Sequence, residues 1–245
     1  MSPRKSLLWP SVFAFLGFLL LLGLGTWQVE RLSWKESLIA ERQAAVTAPP
    51  IAVPGSLAAA EGREYRHIAA TGTFLNDHEF FLGATDDIGH PGYHVITPLR
   101  LADGAVLMVD RGFIPEDRKA PASRAAGELA GEVTVTGLLR LAPQGKPAWF
   151  LPDNSVERNY WIWVDLPAMA RVAHLGRVLP FYMDAGATPN PGGLPIGGQT
   201  RLTLPNNHLQ YAITWYALAV ALAVIYILFV RRHRAEGAAR EHHAV

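Results

Sequence analysis

The chain has no cysteine and only four methionines among its 245 residues. The lack of cysteine rules out disulfide bonds and thiolate metal sites. So few sulfur ligands also argue against a copper(I) site, which is selected by soft donors. Any metal bound by this chain must therefore rely on imidazole nitrogen or on oxygen.

Several enzyme signatures are also missing. The sequence contains no G-x-S-x-G, G-x-G-x-x-G or P-loop pattern, and these are the motifs that hold a serine nucleophile, a dinucleotide or a nucleoside triphosphate. A basic patch is missing as well, because residues 30–208 contain slightly more acidic than basic residues. A nucleic-acid partner would require such a patch, so we expect none.

Charge is absent from two long apolar stretches, residues 6–29 and 209–230. About 20 apolar residues, rising roughly 1.5 Å each, are enough to cross the hydrocarbon core of a bilayer. The first stretch exceeds the roughly 7–15 residues of a signal-peptide core and has no A-x-A-like cleavage site, so we expect an uncleaved anchor. The sequence predicts transmembrane helices at 7–29 and 209–230.

The arginines indicate the orientation of these helices. Four follow the second stretch, at positions 231, 232, 234 and 240, whereas Arg201 alone precedes it nearby. Because basic residues favour the cytoplasmic side, we expect residues 1–6 and 231–245 in the cytoplasm and 30–208 outside it. No arginine- and serine-rich transit leader precedes the first helix, which favours a bacterial plasma (inner) membrane.

Short β-strands are expected in the middle of the chain. The segments are rich in β-branched or aromatic residues and are bounded by turn-forming residues; they are 65–75, 78–84, 93–101, 105–113, 132–141, 160–165 and 177–186. Asp103-Gly104 is typical of a hairpin turn. The predicted class is an α+β membrane protein, with two transmembrane helices flanking a mainly antiparallel β-barrel or β-sandwich outside the cytoplasm.

Two helical segments and two linkers complete this prediction. Residues 31–45 should continue the first membrane helix outward, and 165–175 should form a short helix capped by Asp165. The proline-rich stretches 47–55 and 187–198 are expected to link the membrane helices to the β domain.

Two groups in the β domain are also candidates for chemistry. Asp86, Asp87, His90 and His94 bring together carboxylates and imidazoles that metals use, which would fit a metallohydrolase, although intervening glycine and proline indicate a plain turn. In "VDRGF" (109–113), neighbouring acidic and basic side chains end a strand, and a structural ion pair or a turn is the simpler interpretation.

The end of the first apolar stretch carries Trp27, Arg31 and Trp34, whose spacing places them on one helix face. They fit an aromatic belt in which the arginine extends toward water. They also fit a cleft in which two indoles contact a planar apolar ligand and the guanidinium binds its carboxylate.

The second apolar stretch opens with His208, followed on the same face by Tyr211, Ala212 and Trp215. Asn206 is a plausible N-cap, which would put His208 in the first turn. Neutral imidazole is a recurrent haem ligand, Ala212 would leave room for a porphyrin, and Trp215 would stack on it. A solvated histidine at the membrane interface remains the alternative.

Seven segments occur in an order that resembles the Surfeit-locus-one (Surf-one) family of cytochrome c oxidase assembly factors. They are "GTWQVERLSWKESLI", "YRHIAATGTF", "GYHVITPL", "VLMVDRGFIP", "VTGLLR", "NYWIWVD" and "NNHLQYAITWYALA". The similarity covers nearly the whole chain. The fourth segment departs from the family pattern, which often has asparagine and tryptophan where this chain has Asp110 and Phe113.

The resemblance implies a chaperone-like, non-enzymatic role in the respiratory chain: supplying or retaining haem a while oxidase subunit I is assembled. It implies that His208 binds haem a as an axial ligand of the iron, with Trp215 as a second contact; Tyr211 is added because it shares their helix face. Trp27, Arg31 and Trp34 would form the opposite wall, which is inferred from helix geometry alone. Haem a has a farnesyl tail, so transient binding at the membrane boundary, in contact with lipid, is expected. The alternative is a scaffold that brings oxidase subunits and haem a synthase together without binding haem.

Overall fold

The computed structural model describes residues 7–86 and 88–242. The helices are α1 (Leu8–Thr47), α2 (Leu57–Ala60), α3 (Leu166–Val172) and α4 (His208–His242). The strands are β1 (Ile51–Ala52), β2 (His67–Phe74), β3 (Phe80–Thr85), β4 (Pro91–Leu101), β5 (Val106–Pro115), β6 (Glu132–Leu141) and β7 (Val178–Ala185). The chain divides into a helical unit, made of residues up to 40 and from 203 onward, and a β unit spanning 41–202.

Both α1 and α4 are long and apolar enough to cross a membrane. Large apolar side chains such as Phe13, Leu20 and Ile225 are exposed along them, as expected for surfaces that face lipid. The helices extend past the predicted spans. The expected continuation of the first helix through 31–45 is confirmed, because α1 continues without a break to Thr47, while α4 continues beyond residue 230. The membrane boundaries at 29 and 230 stay predictions.

Small residues bring α1 and α4 together. On α4, Ala212 and Ala219 are buried. On α1, an added Cβ at Gly25 would lie 2.8 Å from the ring of Tyr216, so only glycine leaves space for that ring. The Tyr216 hydroxyl also lies 3.2 Å from the hydroxyl of Thr26. This is the close packing through small residues that membrane helices use, because lipid offers no hydrophobic driving force between them.

The β unit is a closed, mainly antiparallel barrel. Neighbouring strands follow the order β1-β2-β6-β7-β5-β4-β3, and a further pairing of β2 with β4 closes the sheet. Five strands form the closed ring, with β1 and β3 attached to it. Two pairings are parallel: β1 with β2, and β5 with β7. The barrel alternative of the predicted fold class is thus the one observed.

Two of the three apolar clusters found among the described residues lie on opposite faces of this sheet. The first draws on all five ring strands and includes Leu99, Leu107, Leu139 and Phe181, so it fills the barrel interior. The second joins Met108 and Tyr182, on the opposite face of the sheet, to Trp161 and Met169 of the segment that carries α3. Strand β5 contributes to both clusters because successive side chains point to opposite faces.

Most predicted strands are confirmed within a few residues, and the Asp103-Gly104 turn is confirmed by a φ of +78° at Gly104. The strand predicted at 160–165 is wrong. Trp161 makes only an isolated bridge to Leu82. Its indole is fully buried against Phe80, so the aromatic residues that suggested a strand instead anchor a loop in the second cluster.

The short helix predicted at 165–175 is observed as α3, one residue after its cap. The side chain of Asp165 accepts a hydrogen bond from the backbone of Ala168, and Pro167 lies in the first turn. The two proline-rich segments contain short elements that periodicity did not reveal: β1 in the first and a single 3₁₀ turn, Pro191–Gly193, in the second.

Candidate functional site

His208 is the first residue of α4 and is held by α1. Its Nδ1 lies 2.7 Å from Oε1 of Gln28, and Gln28 is only 9% exposed. Asn206 Oδ1 accepts from the backbone N–H of His208 at 3.5 Å, while the N–H of Tyr211 bonds to the carbonyl of Asn207. The prediction that His208 occupies the first turn is confirmed.

The Gln28 contact determines which ring nitrogen of His208 is available. An amide oxygen can only accept a hydrogen bond, so Nδ1 of His208 is the donor and carries the proton. Nε2 then keeps its lone pair in the neutral imidazole. Histidines that ligate metals are oriented in this way, by a partner that accepts from the other ring nitrogen. The residues at this position therefore fit an iron ligand.

The other predicted residues of α4 have different environments. Trp215 is half-buried, whereas Tyr211 is 54% exposed. Ala212 is 3% exposed, so protein already occupies the space beside it, and the expectation that it leaves room for a porphyrin is wrong. Its small side chain serves the packing of the two helices instead.

Trp27, Arg31 and Trp34 do lie together on α1. The Arg31 guanidinium carbon lies 5.7 Å from the ring centre of Trp27 and 5.3 Å from that of Trp34. Both indoles are about half exposed. The hydrogen bond that links α1 to His208 is made by Gln28. The role of Trp27, Arg31 and Trp34 as a ligand-binding wall stays a prediction.

Sequence reasoning missed Gln28, although a signal was available. It is an amide within an uncharged apolar stretch, three residues after Gly25, and these two are the buried residues of α1. A polar side chain in a membrane helix is expected to hydrogen-bond to another helix. Spacing from Gly25 would thus have placed Gln28 on the packed face.

A second polar site lies in the β unit, where His94, Asp110 and Asp184 come from three adjacent strands. Nδ1 of His94 donates to Oδ2 of Asp110 at 2.7 Å, and the backbone N–H of Gly112 donates to Oδ1 of the same carboxylate at 2.9 Å. Asp110 and Asp184 are register partners on β5 and β7. These residues line a cleft of about 240 Å³.

Burial and charge shift the pKa values in this cleft. Desolvation lowers the pKa of His94, but the hydrogen bond and charge of Asp110 more than reverse this, so the pKa is raised overall. Burial raises the pKa of Asp184, and the nearby Asp110 carboxylate adds to the effect. Asp184 accepts hydrogen bonds from Arg140 and Thr200 at 2.7 and 2.8 Å. Both shifts therefore favour the protonated forms of His94 and Asp184.

The suggested ion pair within "VDRGF" is wrong, because adjacent residues of a strand point to opposite faces. Asp110 binds His94, whereas Arg111 is buried on the other face, where it donates to the carbonyl of Gly127 and lies over the ring of Phe74. Arg111 therefore closes one end of the barrel interior.

The cluster suggested for a metal does not converge. Asp86 Oδ2 lies 3.0 Å from Nδ1 of His90, but His94 points to Asp110, and Asp87 lies outside the described residues. Within the described part of the chain, no three His, Asp or Glu side chains are placed to hold one metal ion.

With this geometry in view, comparison with known proteins decides the family. A profile of the SURF1 family matches residues 15–220. The chain belongs to the SURF1 family. A SURF1-like protein of Monosiga brevicollis is 42% identical over 223 residues, which cover 86% of this chain and 83% of that protein. Surfeit locus protein 1 of mouse is 39% identical over 226 residues, covering 86% of this chain and 72% of its own length.

The human Surfeit locus protein 1 is 37% identical over 235 residues, covering 87% of this SURF1-family chain and 77% of that protein. Together these relatives bear out the family that the seven segments indicated. They are eukaryotic proteins, so they give no support to the expectation of a bacterial member. The matched region, 15–220, includes both Gln28 and His208.

Proposed function

We propose that this SURF1-family chain is a non-enzymatic assembly factor for haem-copper cytochrome c oxidase. It would bind haem a at the membrane boundary and aid its delivery to, or retention in, subunit I. The observation that supports this most directly is the hydrogen bond between Gln28 and His208, because it leaves Nε2 of His208 free to bind iron.

Each residue of the site has a defined part in this proposal. Haem a, when bound, would supply an iron atom that takes a nitrogen ligand. His208 would provide that nitrogen, and Gln28 would fix its tautomer and ring orientation. Trp215 and Tyr211 offer aromatic surface to a planar ligand. Trp27, Arg31 and Trp34 are a second candidate surface, on which the Arg31 guanidinium would pair with a carboxylate.

Carrying haem requires retention and release rather than catalysis. A single imidazole ligand retains the cofactor without an irreversible bond, and no bond in the cofactor needs to be made or broken. The partners of this step are oxidase subunit I as acceptor and haem a synthase as a source of haem.

The location proposed is a bacterial plasma membrane, with both termini in the cytoplasm and residues 30–208 outside. The excess of arginines after the second apolar stretch supports this orientation. A periplasm-active reporter inserted after Ala120 should be active, and a reporter that works only in the cytoplasm should be silent there. The reverse result would overturn the orientation.

The haem proposal is tested by the optical spectrum of the full chain purified from cells that make haem a. The wild type should show a Soret band that His208→Ala removes. The matched control is His233→Ala, which changes another histidine of α4 and should keep the band. A colourless wild-type protein that still restores oxidase assembly would refute haem binding and favour the scaffold.

A further inference from the structure

A narrow apolar groove lies between α1 and α4, well away from His208. Four residues of each helix line it: Ser11, Ala14, Phe15 and Phe18 from α1, and Leu222, Ala223, Tyr226 and Ile227 from α4. The groove has a volume of about 200 Å³. Apart from the Ser11 and Tyr226 hydroxyls, which hydrogen-bond to each other, its lining side chains are apolar.

The packing of the two helices explains why the groove exists. They approach closely where Gly25 faces Tyr216, and again at Gly17, where an added Cβ would lie 3.3 Å from Leu222. Beyond Gly17, Ala14 and Ala223 are too small to fill the space between the larger lining residues. The result is a groove between two helices that are held together elsewhere, and its apolar lining suits an apolar chain.

The groove lies on the same two helices as the Gln28–His208 pair. Gln28 and Phe18 are ten residues apart on α1, or about 15 Å at the rise of an α-helix. His208 and Leu222 are 14 residues apart on α4, or about 21 Å. An extended farnesyl chain on the porphyrin edge spans about as much as ten helical residues, so it reaches the near end of the groove, at Phe18 and Leu222, whereas Ser11 and Ile227 lie about 26 and 28 Å along their helices from Gln28 and His208.

We propose that this groove holds the isoprenoid tail of the haem whose iron His208 binds. The inference rests on the proposed function and gives the haem a second point of attachment. In a bilayer the tail gains little from the hydrophobic effect, since lipid is equally apolar. The gain comes from close packing in the groove, and from the iron bond, which raises the local concentration of the tail. A lipid acyl chain has no such link to the site.

The test compares two haems that differ in the tail: haem o, which carries it, and haem b, which does not. Each is titrated into the full chain in nanodiscs, and the Soret change gives the Kd. The wild type should bind haem o about tenfold more tightly than haem b. Ala223→Phe fills the groove and should weaken haem o binding to the haem b level, with haem b binding unchanged.

Two further variants make the result specific. Ala14→Leu fills the groove from α1 and should act like Ala223→Phe. Ala221→Phe adds the same ring to α4 at an exposed position and should change neither Kd.

Equal binding of both haems by the wild type, or equal loss of both in Ala223→Phe, would overturn the tail site. If haem o and haem b bind with the same Kd, and His208→Ala abolishes the binding of both, the tail site is refuted but the proposed function is still supported. Absence of any His208-dependent band would refute both.

Discussion

Gln28 Oε1 and His208 Nδ1 lie 2.7 Å apart, although 180 positions separate the two residues in the chain. The contact joins the two membrane helices and, at the same time, fixes the tautomer of the histidine. It also gives α1 a part in the site that does not depend on its tryptophans.

Replacing Gln28 should weaken haem binding without removing the ligand. Gln28→Leu keeps the approximate size of the side chain but frees His208 Nδ1, so ring orientation and tautomer are no longer fixed. Loss of such an orienting partner typically costs about 10–100-fold in metal affinity. A Soret titration measures the change.

The control for this change is Gln43→Leu, the same substitution at an exposed position of α1. It should leave the Kd unaltered. Binding by Gln28→Leu that equals the wild type would mean that the hydrogen bond does not orient the ligand.

Gly25→Ala should loosen the helix pair. The added methyl would lie 2.8 Å from the Tyr216 ring, and moving the ring would disturb its hydroxyl contact with Thr26. Overpacking of this kind costs about 1–3 kcal/mol, to be measured as the free energy of unfolding in mixed micelles.

Gly23→Ala is the matched comparison, because an added Cβ there meets nothing within 4 Å. It should be neutral or slightly stabilising, since alanine favours a helix over glycine. Tyr216→Ala should rescue Gly25→Ala in part. Equal effects of Gly23→Ala and Gly25→Ala would show that the close approach is not what requires glycine.

Asp110→Asn should lower the pKa of His94, because the amide keeps the shape of the carboxylate but not its charge. A histidine with a raised pKa stabilises the fold below the pKa of the unfolded chain, about 6.5, and this stabilisation is lost as pH rises through the folded value. The wild-type β domain should thus lose stability above about pH 6.5, and the variant should lose less.

NMR titration of the His94 ring in the full chain measures the pKa directly, and denaturation at several pH values measures its consequence. Asp86→Asn, which removes the partner of His90 instead, should leave the His94 titration as it is. An unchanged His94 pKa in Asp110→Asn would contradict the assignment of Asp110 as the cause.

The buried pair Glu79–Arg124 should matter far more to stability than surface pairs do. Their side chains are 3% and 0% exposed, so Glu79→Gln leaves a buried guanidinium with half of its charge partners. Breaking such a pair costs about 3–5 kcal/mol. Denaturation with guanidinium chloride measures the resulting change in the free energy of unfolding.

Asp153→Asn is the control, since that residue pairs with Lys146 at an exposed site. Its loss should cost less than about 1 kcal/mol. Similar costs for the two substitutions would show that Arg124 is compensated by Glu128 alone.

Local periodicity was enough to find the two membrane helices and most of the strands. Alternation in β6 and the Asp103-Gly104 turn are properties of a few neighbouring residues, which a sequence reveals. The parallel pairing of β5 with β7 and the closure of β2 on β4 join distant segments, so no local pattern encodes them. The error at 160–165 has the same origin, because the burial of Trp161 depends on Phe80, far away in the chain.

At the candidate site as well, contacts within one helix could be predicted from the sequence and contacts between helices could not. Spacing along one helix correctly grouped Trp27, Arg31 and Trp34, which contact one another. It did not reveal contacts between helices: Gln28 hydrogen-bonds to His208, and Ala212 is buried. Which residues meet between α1 and α4 depends on the rotation of each helix, and Gly25 rather than any aromatic residue sets the close approach.

The unbroken course of α1 has a mechanical consequence. Forty residues make a rod of about 60 Å, twice the thickness of the hydrocarbon core. The part of this rod that belongs to the helical unit ends at Ala40, 12 residues and about 18 Å beyond Gln28, so a tilt of about 10° at Gln28 would displace Ala40 by roughly 3 Å.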